Sequence, residues 1–303
     1  MQLVFALAIA ALVTARPGGI ERVEHSPPSM VRIPGGTFWM GFPNDEDAES
    51  ELALACVTEF GEGTEQSYCT NKRLWENATP ERRVYLPAFE IDRYEVTIAQ
   101  YRRCAADGAC DVAALLAGDD RFRDDDALPM VYVTWQDAVD FCAWSGKRLP
   151  TEAEWEKAAR GTDRRVWPWG DFERDDGANH GTVDRKLMRP AVWFTAQYIA
   201  DDSDGHDTAV APGTMLWSES AYEVYDLAGN VSEWVADYYV DGYDDGSSIA
   251  PVVDSPPPNG AGLRSYRGGS WAEPKLFGRT YFRLNALPDQ RSFDRGFRCA
   301  RDV

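Results

Sequence analysis

Three threonines punctuate this chain in one grammar. Thr97 with Gln100, Thr134 with Asp137 and Thr151 with Glu154 each set a capping hydroxyl three residues ahead of a side chain that can reach back to the threonine's own amide. Three helices are therefore predicted to open at these points. The second carries Trp135, Ala138, Val139 and Cys142 at helical spacing and stops at Gly146, and the third ends near Gly161. Only Lys147-Arg148-Leu149-Pro150 separates them, which predicts that they pack closely against each other. Strand-like runs are short, at 30–34, 37–41, 83–86, 89–96 and 264–267. From 167 to 224 the chain is rich in Asp, Gly, Pro and Trp and has little hydrophobic period. Eleven tryptophans spread along the sequence argue that such segments are packed down rather than disordered. No internal repeat is visible.

Charge narrows the partners. Fifty acidic residues against 31 basic ones give a formal charge of −19, which repels a phosphate backbone and offers no broad cationic face to anionic lipid. Nucleic acid is therefore not an expected partner. The apolar run from Met1 to Val13 is too short to span a bilayer comfortably, and Val13-Thr14-Ala15 supplies small residues at a cleavage site. Residues 1–15 read as a signal peptide and 16–29 as a flexible mature terminus, with a buried first helix or strand as the alternative. No later segment is long and apolar enough to be a transmembrane helix. An exported chain, periplasmic or extracellular, is expected to use its six cysteines in disulfides. Cys56 and Cys69 bracket a Gly-rich loop, Cys104 and Cys110 bracket a short turn, and Cys142 and Cys299 remain. Six cysteines allow fifteen pairings, so connectivity stays open on spacing alone.

Several longer motifs follow one another in order. Arg32-Ile33-Pro34-Gly35-Gly36-Thr37-Phe38-Trp39-Met40-Gly41 and Phe89-Glu90-Ile91-Asp92-Arg93-Tyr94-Glu95-Val96-Thr97 come first. Gly146-Lys147-Arg148-Leu149-Pro150-Thr151-Glu152-Ala153-Glu154-Trp155-Glu156 and Tyr225-Asp226-Leu227-Ala228-Gly229-Asn230-Val231-Ser232-Glu233-Trp234 follow. Arg267-Gly268-Gly269-Ser270-Trp271 and Gly296-Phe297-Arg298-Cys299-Ala300 close the series. Over residues 30–303 this order resembles the sulfatase-modifying-factor family, whose enzymes generate formylglycine. The resemblance implies a single α+β domain with few regular elements and a C-type-lectin-like topology, and it implies a structural disulfide between Cys142 and Cys299.

The resemblance also implies chemistry that the residues do not supply. In the family's enzymes a cysteine pair just after Gly-Gly-Ser binds copper and oxidises a substrate cysteine to formylglycine. Here the stretch 271–281 holds no cysteine, and Glu273 and Gly278 fall nearest the missing positions. Soft thiolates select copper(I), so copper is not an expected cofactor. The three histidines, His25, His180 and His206, form no pair at helical spacing. Ser270, Glu273 and Arg279 remain as candidate cleft residues for a different chemistry. Structural calcium is the cofactor the resemblance does imply. Its matching positions are Asn179 and Asp204 with the backbone of His180 and His206, and Asn230 and Glu233 with the backbone of Val231, hard oxygen donors converging from separate loops.

The leading reading is an exported, non-catalytic binding or scaffold module with a peptide-accepting cleft and a protein or peptide ligand. One alternative is an oxidoreductase of the formylglycine-generating type acting on a protein cysteine, or a family enzyme turned to other chemistry. A lectin-like surface-binding protein is a third reading, carried by fold analogy alone.

Overall fold

A computed structural model of the chain describes residues 29–43, 46–60, 73–117, 124–183, 198–200, 203–243 and 262–303. The expected signal peptide, nearly all of the expected mature terminus, and Cys69 lie outside the described residues.

All three capping boxes form. Helices α3 (Ile98–Ala106), α5 (Trp135–Trp144) and α6 (Glu152–Arg160) follow Thr97, Thr134 and Thr151, and in each the threonine hydroxyl and the reaching side chain satisfy two otherwise orphaned amides. Helices α1 (Glu46–Phe60), α2 (Arg73–Glu76) and α4 (Ala113–Ala117) carry no such signature.

The close pairing expected of α5 and α6 does not occur. Helix α5 packs against α3, while α6 packs against strands β2 (Gly36–Met40), β3 (Arg82–Leu86), β7 (Ser232–Tyr238) and β8 (Arg264–Arg267). Their apolar residues accordingly fall into two core clusters, Ala138, Phe141 and Cys142 in one and Ala153, Trp155, Ala158 and Ala159 in the other. The linker itself is the cause. Arg148 exchanges both backbone hydrogen bonds with Ala300, at 2.8 and 2.7 Å, and the Pro150 carbonyl accepts from Ala236, so these residues are pinned into the sheets rather than forming a tight helical hairpin.

Two small sheets organise the strands. In the first, β4 (Phe89–Asp92) lies between β1 (Met30–Ile33) and β11 (Ala300–Asp302), antiparallel to both. The second has the order β10 (Arg295–Phe297), β7, β8, β9 (Leu284–Ala286), with β10 parallel to β7 and the rest antiparallel. Strands β2 and β3 form a separate pair, as do β5 (Gly181–Val183) and β6 (Tyr198–Ala200). Strand β4 stops at Asp92 rather than reaching Val96, because Arg93 turns to donate to the Ser29 carbonyl and to accept from Tyr225. Within the aperiodic span 167–224, β5 and β6 are the strands found among the described residues. Trp167, in a loop of that span, is buried, whereas Trp217 in the same span is 56% exposed.

The interior between α6 and the second sheet is ionic. Arg283 donates to both carboxylate oxygens of Glu152, at 2.7 and 2.9 Å, and Arg267 bridges Glu152 at 3.1 Å and Glu156 at 2.6 Å. Burial raises the Glu152 carboxyl, but the guanidiniums of Arg283 and Arg267 outweigh it and hold the group below its ordinary value. Such a network stabilises less than its Coulomb energy suggests, yet removing one member leaves buried charge behind. Cys104–Cys110 and Cys142–Cys299 are disulfides with Cα separations of 5.3 and 5.6 Å, and Cys56 is also disulfide-bonded.

Candidate functional site

The Gly-Gly-Ser turn is built for close approach. Gly268 and Gly269 have φ of +96° and +67°, and a Cβ on Gly269 would lie 3.0 Å from the Gly278 nitrogen, so the turn rests directly on the 3-10 turn Lys275–Gly278. Gly229 is tighter still. Its hypothetical Cβ would sit 2.1 Å from the Asn179 carbonyl, while its amide donates to Gly268 at 2.8 Å. Asn179, Gly229-Asn230 and Gly268–Trp271 thus meet at one point although they are far apart in sequence.

Around that point the expected calcium residues form two arrangements, joined where Asn179 Nδ2 donates to Asn230 Oδ1 at 3.2 Å. Asp204 accepts from the amides of His180 at 2.7 Å and His206 at 2.8 Å, one on each carboxylate oxygen, and burial raises its carboxyl. Each oxygen keeps a second lone pair, and Asn179 Oδ1 is buried without a hydrogen-bond partner, so these donors are compatible with a hard cation. The second set is arranged differently. Asn230 Nδ2 donates to Glu95 at 2.6 Å and its Oδ1 accepts from Val210 at 2.9 Å, while the Val231 amide donates to Glu95 at 3.0 Å. Glu233 faces elsewhere. Both of its oxygens accept from Arg298, at 2.6 and 2.7 Å, and one also accepts from Trp155 Nε1 at 2.9 Å. The guanidinium already neutralises this carboxylate and disfavours a second cation beside it. No group of three or more His, Cys, Asp or Glu stands ready for a metal among the described residues.

The three candidate cleft residues fall into two places. Ser270 Oγ donates to Asp294 Oδ2 at 2.8 Å, and Asp294 also accepts from Ser292. Glu273 is buried next to this pair. Burial first, then Asp294, pushes its carboxyl up to about 8, with Arg295 and Ser270 offsetting part of the rise. Its Oε2 is buried and has no partner. Arg279 instead lines an open cleft of about 450 Å³, with His180, Trp167, Lys275 and residues of α1 including Glu51 and Ala55. Ser270 and Glu273 do not line it. The arrangement can hold a proton at Glu273 and a ligand at Arg279, and it holds no thiol at either position where the family resemblance asks for one. All cysteines among the described residues are disulfide-bonded.

Sequence reasoning missed Asp294, Glu95 and Glu51. The first two lie in motif-poor or strand-like segments and are brought in by tertiary contacts. Glu51 could have been found, because Ala48, Leu52, Ala55 and Cys56 repeat at helical spacing and mark α1.

Known proteins are similar to this chain over half of its length or more. The formylglycine-generating enzyme of Thermomonospora curvata is 35% identical over 178 residues, 57% of this chain and 55% of the enzyme, so the match spans about half of that relative. A mouse protein called inactive C-alpha-formylglycine-generating enzyme 2 is 29% identical across 90% of this chain and 85% of its own length. Among solved structures, PvdO from Pseudomonas aeruginosa superposes with a TM-score of 0.64 at 27% identity, covering 90% of this chain and 94% of PvdO. The fold is the α+β, loop-rich architecture of this group with its C-type-lectin-like topology. A family model described as the sulfatase-modifying factor enzyme 1-like domain matches residues 17–303, and the chain belongs to that family.

Proposed function

We propose that this chain is an exported binding module that keeps the family's cleft and does not perform thiol-dependent oxidation. One observation carries the reading: positions 273 and 278, where the family resemblance calls for a copper-binding thiol pair, hold a buried carboxyl and a glycine. Neither can supply the soft donors that select copper(I). The cleft lined by Arg279 has the features of a recognition site, being open and lined by Trp167 together with charged groups. A peptide is the ligand class this favours. Structural calcium at Asn179 and Asp204 belongs to the same proposal, supported by the orphaned Asn179 oxygen.

Incubation of the intact chain with copper(I), oxygen and a cysteine-containing sulfatase peptide tests the reading. Mass spectrometry is expected to find the cysteine unchanged, and conversion to the aldehyde would overturn it.

A second reading has its own observation. Ser270 donates to Asp294 beside a carboxyl that keeps its proton to about pH 8, which places an acid and a hydroxyl together. Both are buried away from the cleft, so substrate access argues for the binding module.

A further inference from the structure

Among the described residues, Arg279 is the cleft cation with the weaker counter-charge, Glu51 at 3.8 Å. Its side chain is 4% exposed, and Nη1 donates to the Tyr281 hydroxyl at 3.0 Å. Nε is buried without a hydrogen-bond partner, and Nη2 lies 3.8 Å from Glu51 Oε1, beyond hydrogen-bond reach. One edge of the guanidinium fork is therefore unfilled. Lys275 differs, since Glu173 at 3.2 Å and Asp175 at 3.1 Å already compensate its charge.

Resting on the binding-module reading, we propose that the cleft takes a carboxylate of an acidic peptide onto the open edge of Arg279. The planar fork matches a carboxylate in bidentate fashion, and a buried guanidinium lacking a good counter-charge gains most from one. Glu51, 63% exposed on α1, stands near that edge as a weak internal competitor. His180 lines the same cleft. Its Nδ1 lies 3.0 Å from the Gly181 carbonyl, which can only accept, so in the neutral ring Nε2 is left as an acceptor, and that atom is buried without a partner. An aspartyl or glutamyl side chain or a free peptide C-terminus supplies the carboxylate for Arg279. A phosphate dianion fits less well, because Glu51, Glu173 and Asp175 line the same cleft and repel the higher charge more strongly.

The test is an array of immobilised pentapeptides in matched pairs, Asp or Glu against Asn or Gln and free against amidated C-termini, probed with the intact protein. Wild type should retain acidic or free-carboxyl members about tenfold better than their neutral partners, the ratio expected for a charge-assisted hydrogen bond. The side-chain and terminal pairs distinguish the two sources of carboxylate. Glu51→Gln, which removes the competitor at an exposed position, should strengthen retention, and Arg279→Gln should abolish the preference. Near-ultraviolet circular dichroism checks that Arg279→Gln is folded, and the Glu51→Gln result carries the test if it is not. Retention with no acidic or free-carboxyl preference overturns the carboxylate inference and leaves the binding module standing. Wild-type retention no greater than that of Ala55→Trp, which fills the cleft, overturns both.

Discussion

Replacing Glu273 by Gln should make the protein more stable, by a margin that opens above about pH 5 and levels off near pH 8. In the folded chain, burial and the neighbouring Asp294 carry this carboxyl from an ordinary 4.5 up to about 8, against the opposing pull of Arg295 and the Ser270 hydroxyl. Between those two values the folded state keeps a proton that the unfolded chain has lost. Stability therefore falls as pH rises through the window and levels off above the folded value. At 1.36 kcal/mol per pH unit, the gap corresponds to an upper bound of about 5 kcal/mol at pH 9, less whatever relaxation or water entry relieves. Gln mimics the protonated form in shape and charge and removes the penalty. Asp226, raised to about 6 chiefly by burial, and Asp237, raised to about 7 by burial and Glu152, slope in the same direction, so the total pH dependence does not isolate Glu273. The difference between wild type and variant does. Urea denaturation followed by tryptophan fluorescence at pH 5, 7 and 9 should give nearly equal stabilities at pH 5 and a variant ahead by about 2 to 4 kcal/mol at pH 9. A difference that does not change with pH, or a wild type that gains on the variant as pH rises, would refute the reasoning.

Three other outcomes are expected. Replacing Cys142 and Cys299 together by Ser opens a loop of sequence separation 157 and should lower stability by about 5 kcal/mol in the chain-entropy picture, read as a drop in the urea midpoint. If calcium sits at Asn179 and Asp204, chelation should bring protease cleavage first to the region between 179 and 233; identical digestion patterns with and without chelator would remove calcium from the proposal. A Glu273→Cys, Gly278→Cys double variant should gain copper(I) affinity with little turnover, because a Cβ at 278 meets Ala228 Cβ at 3.2 Å and that neighbour must give before a sulfur is correctly placed. Metal titration and peptide mass spectrometry separate the two effects.

The legible parts of the fold were those whose causes are local. Each capping box acts within four residues, so Thr97, Thr134 and Thr151 mark helix starts without reference to the rest of the chain. Strands β1, β2, β3 and β8 were visible as short runs for the same reason. Strand β7 was not, because Glu233 and Asp237 interrupt its apolar pattern and are nevertheless buried. Arg298 compensates Glu233 across a gap of 65 residues, and Asp237 accepts from the Glu152 amide at 2.6 Å. Nothing near either carboxylate in sequence announces those partners. The same non-local pairing hid Asp294 beside Ser270. It also redirected α5 and α6, since a linker short enough for a helical hairpin was instead held by Ala300 and Ala236.

This distribution of causes explains how the scaffold can stand without the thiols. The motif residues that hold the fold are Gly229 and Gly269, which permit backbone contact, Asn230, which ties two loops to Glu95, and Arg267, which neutralises Glu152 and Glu156. Positions 273 and 278 take no such part. The Glu273 carbonyl accepts a 2.8 Å hydrogen bond from the Gly181 amide that any residue could accept equally well, and Gly278 contributes mainly its small size against Ala228. Neither residue lines the cleft, so substitution there removes no cleft side chain. Arg279, one residue beyond, is held by Tyr281 and Trp167 independently of any sulfur, so this wall of the cleft does not depend on a thiol at 273 or 278.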